Sequence, residues 1–296
     1  MGLNFIFLKQ LPLKLFYDMV SLFLSNIEYI LLRLFRRFIF SSDFLIKYGI
    51  YIPYYKVNLN QFNPSAIIGI YNKYLKATAI DPTNLSSILE IGVGATNSTG
   101  YEMAFQGFAN GGEIIMVEPY ADFNQSLDNK IYTDNAYPDA VRDRVKRIKK
   151  LSDIESNSID LILSNSVLEH VAVDDFSALI NNLNRVLKPE ACMLHIVDYK
   201  DHFFKYPYHF LQFSNPVWNR YLNPGDLPRW RLNDHLKLLA SANLSVEILD
   251  SEIDNLSYAK VESSIYPMFD SKNHDTKVTR AVLLVRQSKA TCMATK

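Results

Sequence analysis

Residues 86–94, Ser-Ser-Ile-Leu-Glu-Ile-Gly-Val-Gly, constrain this chain more than any other stretch. An apolar run of strand length ends abruptly in Gly92-Val93-Gly94. Glycines at the carboxyl end of a central strand let backbone approach a ligand closely, at the edge where open α/β sheets bind theirs. The next apolar run, Ile114-Ile-Met-Val, ends in Glu118, 24 residues beyond Gly94. A carboxylate there can accept two hydrogen bonds from a ribose diol. Strand, Gly-x-Gly, helix, strand and acid in this order form a nucleoside-binding signature. The alternative for Glu118 is an exposed acid at a strand end.

Around this signature the pattern alternates. Strands are expected at 87–91, 113–118, 159–164 and 192–198, with helices at about 100–108, 138–145, 174–187 and 232–242. Such alternation predicts an α/β fold with a mostly parallel sheet covered by helices. Two further strands, 245–249 and 280–286, follow with no full helix between them, which predicts a C-terminal antiparallel hairpin. The domain is expected at 64–290, after an N-terminal segment and connector at 1–63 and before a tail at 291–296. The chain has 296 residues, 48% of them hydrophobic, enough for one large core with an appendage.

The nucleoside can belong to a dinucleotide or to a sulfonium cofactor. A dinucleotide turn wants a third glycine to seat pyrophosphate on a helix N-terminus, and that position is Asn97. Glu90, just before the turn, would repel pyrophosphate and attract a sulfonium-bearing amino acid. Both points favour the sulfonium.

Glu90-Ile-Gly-Val-Gly94 resembles the first motif of class I S-adenosylmethionine-dependent methyltransferases of the Rossmann-like type, and Val117-Glu118 resembles their second. The segment 158–171 is similar to the family's fourth strand, and Arg185-Val-Leu-Lys-Pro-Glu190 to the helix end before strand five. The resemblance covers about residues 86–250 and is closest to the type 11 methyltransferases. It implies S-adenosyl-L-methionine as cofactor, held by Glu90, Gly92, Gly94, Glu118 and Asn165. Two departures stand out: Thr96 replaces the motif's third glycine, and the acid that contacts adenine after strand three has only Asp153 as a candidate.

Strand five continues into His195, Asp198, Asp201 and His202. A histidine oriented by a carboxylate suits removal of a hydroxyl proton as oxygen attacks a methyl group. His202 is the expected general base, with Asp198 or Asp201 orienting it. The same four residues are also ordinary metal ligands. Alternation puts His195 off the face of Asp198, so at least one is structural. In the quinone-biosynthesis O-methyltransferases that Leu168-Glu-His170 resembles, an acid three residues before the Glu-His pair helps bind a metal. Here that position is Ser166, and no metal is expected.

Residues 203–231 hold nine aromatics with His209, Asn219, Arg220, Arg229 and Arg231 among them. This insertion is expected to form a lid for a glycan or other small-molecule acceptor; the alternative is a cap packed on the N-terminal helices. Residues 202–231 are loosely similar to methyltransferases from bacterial surface-polysaccharide gene clusters.

At the N-terminus, Lys14, Asp18, Ser21, Ser25 and Glu28 form one polar stripe on amphipathic helices that are otherwise apolar. The longest uncharged stretch between Lys14 and Arg33 is too short for a span, and no cleavable leader is visible. Residues 1–55 are expected to lie on a membrane surface, with Arg33, Arg36 and Arg37 on headgroups, or else to pack against the domain or a second subunit. Balanced charge, 31 basic against 31 acidic residues, gives no field for nucleic acid. The basic cluster 142–150 reads as a solvated helix end and edge. Two cysteines without a framework fit a reducing, cytoplasmic compartment, at the inner membrane face if lipid is touched. The rivals are a nicotinamide-dependent oxidoreductase or epimerase on a similar sheet, and a non-catalytic domain of the same fold.

Overall fold

A computed structural model describes residues 4–39, 63–201, 206–223 and 228–288, with side chains from Val20 onward in the first stretch. They fall into two compact units. One comprises 58–198, 232–251 and 280–296; the other comprises 1–57, 199–231 and 252–279. His202, expected as the general base, lies outside the described residues, as do Cys292 and the tail.

The chain opens with α1 (Asn4–Phe38) of the second unit. The first unit then starts with α2 (Pro64–Ala77), whose Asn63 cap accepts from the Ala66 amide and whose Pro64 stands at the first helical position. Ile67, Ile68, Tyr71, Tyr74 and Leu75 make its buried face. The sheet follows: β1 (Ser87–Ile91), β2 (Glu113–Val117), β3 (Val145–Ile148), β4 (Ile159–Asn165), β5 (Leu187–Asp198), β6 (Leu244–Ile253) and β7 (Val278–Gln287). Their order is β3-β2-β1-β4-β5-β7-β6. The first five run parallel, and β7 is antiparallel to β5, pairing Asp198 with Arg280 and His195 with Leu283. All five residues of β1 are buried, as a central parallel strand covered on both faces requires. Helices α3 (Ser98–Phe105), α4 (Gln125–Asp134), α5 (Val173–Val186) and α6 (Leu232–Ser241) complete this unit, and α7 (Asn255–Val261) belongs to the other.

This is the mostly parallel α/β sheet expected from the sequence, with its antiparallel strand near the C-terminal end. Two elements escaped the sequence reading. The helix expected at 138–145 is only Asp139–Arg142, and β3 follows it, masked by its Lys146 and Arg147. Helix α4 is largely polar and shows no apolar period. The β6–β7 connection also holds the two-turn α7 and is no tight turn.

In the second unit α1 is a single helix of 35 residues, not several. Tyr29 shares a core with Tyr208, Phe210, Trp218, Leu222 and Tyr258, so the aromatic insertion and α1 are packed together. Ser25, Asn26 and Arg33 of α1 point into this unit. Ser25 Oγ and His209 Nε2 are 3.2 Å apart, and the amides of Asn26 and Gln212 exchange hydrogen bonds at 2.9 and 3.2 Å. Arg33 is 2% exposed and paired with Asp201, which also accepts from the Tyr29 hydroxyl. The expectation that Arg33 meets headgroups is thereby corrected: a buried carboxylate neutralises it instead. Arg37 donates to the carbonyls of Asn219 and Asn223. Arg229 and Arg231, read as polar groups of a lid, are buried at 3% each and donate to carbonyls of Phe210, Phe213, Tyr199 and Val278.

Candidate active site

At the carboxyl edge of the sheet, β1 passes into the turn 92–97 and then α3. Gly92 and Gly94 both take left-handed backbone, with φ of +70° and +67°. Their surroundings differ. A Cβ on Gly92 would lie 2.3 Å from Val167 Cγ2, in the loop after β4, whereas one on Gly94 would meet nothing within 4 Å. Gly92 therefore serves close packing, and Gly94 leaves the turn open on one side.

The turn is tied on every other side. The Gly94 amide donates to Glu118 Oε2 at 2.8 Å, and the Tyr120 and Ala121 amides donate to Glu118 Oε1 at 2.9 and 3.0 Å. Arg147, on β3, donates to the carbonyls of Gly94 and Thr96 and to Asn97 Oδ1. Asp128, on α4, accepts from the Asn97 amide at 2.7 Å and the Tyr101 hydroxyl at 2.8 Å. The reading of the basic cluster as solvated is thus corrected at two positions, Arg147 and Arg144, which is half-buried and donates to the carbonyls of Ala104, Phe108 and Ala109. Arg147 is half-buried and braces the cofactor turn between Glu118 and Asp128; burial pulls its guanidinium down, and those two charges oppose the pull only in part. No sequence signal distinguished Arg147 from its neighbours, because β3 itself was missed.

These ties bear on the cofactor. A carboxylate, Asp128, already occupies the start of α3, where a dinucleotide fold would seat its pyrophosphate. Glu118 spends three of its roughly four acceptor positions on backbone amides, leaving capacity on Oε2 for a hydroxyl. An open glycine edge with a strand-end carboxylate, beside the negative charge of Asp128 at the start of α3, fits the nucleoside of S-adenosylmethionine better than a pyrophosphate.

Glu90 lies buried at 4% exposure and accepts from the Tyr71 hydroxyl at 2.9 Å and from the Thr99 hydroxyl. It ties β1 to α2 and α3. Burial pushes its carboxyl up to about 7, against the opposing pull of the two hydroxyls. Its folded value stands above its unfolded one, so its contribution to stability is full below about pH 4.5 and is lost as pH rises to about 7. A difference of that size corresponds to about 3 kcal/mol. Glu90→Gln keeps the neutral form throughout. It should gain stability over wild type by up to about 3 kcal/mol near pH 8 and little near pH 5, read by urea unfolding. An equal change at both pH values would contradict this.

The glycine pair gives a second expectation. Gly92→Ala adds backbone strain of about 1–2 kcal/mol and an overpacking cost of about 1–3 kcal/mol against Val167. Val167→Ala in the same chain should relieve only the overpacking part. Gly94→Ala should carry the strain alone, yet weaken cofactor binding, because its methyl enters the open side. Thermal unfolding and calorimetry separate the two effects.

The edge continues at β4 and β5. Asn165 ends β4, Ser166 has φ of +55°, and Leu168–His170 forms a 3-10 turn. Within this turn His170 is exposed and Glu169 is buried at 2%. Burial, joined by the charge of Asp198 at the end of β5, pushes the Glu169 carboxyl well up. Glu169 went unassigned in the sequence, where attention to a metal motif obscured it. His195 is fully buried, its Nδ1 2.7 Å from Ser164 Oγ, and burial pushes it down to about 4. It is a structural residue of the sheet. Of the four His and Asp residues at the end of strand five, His195 is held by Ser164 and Asp201 by Arg33, and His202 lies outside the described residues. Among the described residues no group of three His, Cys, Asp or Glu side chains is placed to hold a metal ion. Asp153 stands exposed in the turn Leu151–Asp153 after β3.

Residues 89–194 match the model of a methyltransferase domain. Residues 89–194 thus carry a methyltransferase domain. Solved structures share its fold at low identity. A Haemonchus contortus phosphoethanolamine N-methyltransferase 2 is 14% identical, with a TM-score of 0.50 over 86% of this chain and 59% of that one. A putative sarcosine dimethylglycine methyltransferase from Galdieria sulphuraria is 17% identical, with a TM-score of 0.46 over 74% and 86%. The Bacillus subtilis YcgJ protein is 12% identical, with a TM-score of 0.46 over 74% and 99%. No curated protein sequence matches the chain. The methyltransferase domain and the open glycine edge beside Glu118 support S-adenosyl-L-methionine as cofactor, and nothing favours the oxidoreductase alternative.

Proposed function

We propose that this methyltransferase moves the methyl group to an oxygen of a small molecule, glycan hydroxyls included. The carboxyl pair Glu169–Asp198 supports this reading. Two acids at the β4–β5 edge, Glu169 with its carboxyl pushed up by burial and Asp198 half-buried at the end of β5, stand on the same sheet edge as Gly94 and Glu118. Bound S-adenosylmethionine supplies an electrophilic methyl on a good leaving group. The chain supplies position and a proton acceptor: Gly92, Gly94, Glu118 and Asn165 hold the nucleoside end, Glu90 and Arg147 fix the turn, and Asp198, with His202 of the following segment, takes the hydroxyl proton. The insertion 203–231 is the proposed source of acceptor contacts. Residues 1–55, with seven basic against three acidic side chains in 1–60, are proposed to touch a membrane surface peripherally.

The test is transfer of labelled methyl from S-adenosylmethionine to panels of sugar and aliphatic alcohols and matched amines. Labelled methyl ethers support the reading. Exclusive labelling of amines would overturn the oxygen acceptor while leaving the cofactor assignment intact.

A further inference from the structure

Helix α1 is inverted relative to a helix that faces water. Its inward side holds Ser25, Tyr29 and Arg33 with their polar partners. Its outward side carries Val20, Phe23, Leu24, Ile27 and Leu31, exposed by 38%, 64%, 59%, 40% and 50%. At 3.6 residues per turn these five fall in one stripe about 100° wide, and Phe38 extends its line, for a length of about 27 Å. Among the described residues no helix is long and apolar enough to cross a membrane.

Two occupants suit such a stripe, a second α1 or a lipid surface. A two-stranded coil uses a narrow seam with charged flanks. Here Phe23 and Phe35, exposed by 64% and 43%, flank the line on its two sides, where such a coil would carry charges. The segment is also cationic: without Arg33, which Asp201 neutralises, residues 1–60 keep six basic against three acidic side chains. A broad Phe-bearing stripe on a cationic segment suits an amphipathic helix in the headgroup region of an anionic bilayer.

We propose that the Val20–Leu31 stripe of α1 lies in the interface of an anionic lipid bilayer, with the helix parallel to the surface. This rests on the peripheral contact proposed above and assigns that contact to one face and one lipid charge. The test is cosedimentation of the full-length chain with phosphatidylcholine vesicles, with and without phosphatidylglycerol, at low salt. Wild type should sediment with the phosphatidylglycerol vesicles, and Leu24→Glu with Leu31→Glu should weaken this by more than about tenfold. S-adenosylhomocysteine affinity and the unfolding transition of the variant serve as folding controls. Should that pair disturb folding, Phe23→Ser with Leu24→Ser replaces it. Wild type ignoring both vesicles overturns the peripheral contact itself. Equal vesicle binding by wild type and variant overturns the assigned face and leaves the contact standing. A concentration-dependent dimer that the variant abolishes, without vesicle binding, makes a second copy the occupant and overturns the proposal.

Discussion

Asp198→Asn is expected to lower turnover by about 10²–10⁴-fold, the usual worth of a positioned proton acceptor. Asp198 closes β5 at the sheet's carboxyl edge, beside the turn that follows β4. Its neighbour Glu169 is buried and held toward its neutral form by burial and by the charge of Asp198. Burial disfavours a charge on Glu169, whereas Asp198 is only half-buried at the strand end. An uncharged amide at 198 keeps the shape but cannot take a proton. S-adenosylhomocysteine affinity should stay within a few fold, since Gly94 and Glu118 lie on other strands. Glu169→Gln, which preserves the neutral state, should retain most of the activity. A loss confined to cofactor affinity, or turnover within a few fold of wild type, would remove Asp198 from this role.

Asp201→Asn should destabilise the protein by about 3–5 kcal/mol, because it leaves the Arg33 guanidinium buried without a counter-charge. The two side chains are 2% and 0% exposed, and the Tyr29 hydroxyl completes the group. Arg33→Met with Asp201→Leu removes both charges and should cost far less, since desolvation of the pair offsets most of its attraction. Urea unfolding followed by circular dichroism measures all three chains. A single variant within about 1 kcal/mol of wild type would show that water reaches Arg33.

The sequence carried the central strands plainly because both faces of β1, β2 and β4 are covered, so their apolar runs are continuous. It carried Gly92 and Gly94 because both take left-handed backbone, and Gly92 also lies against Val167. Charge was less informative. Arg147 and Arg33 look like any exposed arginine in a row of residues, and only the fold brings carbonyls to one and a carboxylate to the other. The polar stripe on α1 was visible, but periodicity cannot say whether a stripe faces water or a polar partner. Glu90 was legible as an acid before the turn, yet its burial between Tyr71 and Thr99 depends on helices distant in sequence.

The central claim is a nucleoside site for S-adenosylmethionine at Gly92–Glu118. Titration calorimetry of the full-length chain with S-adenosylhomocysteine, and in parallel with NAD, tests it most directly. Saturable one-to-one binding of S-adenosylhomocysteine with no heat from NAD is the predicted result. Binding of NAD without S-adenosylhomocysteine, or of neither, would contradict it.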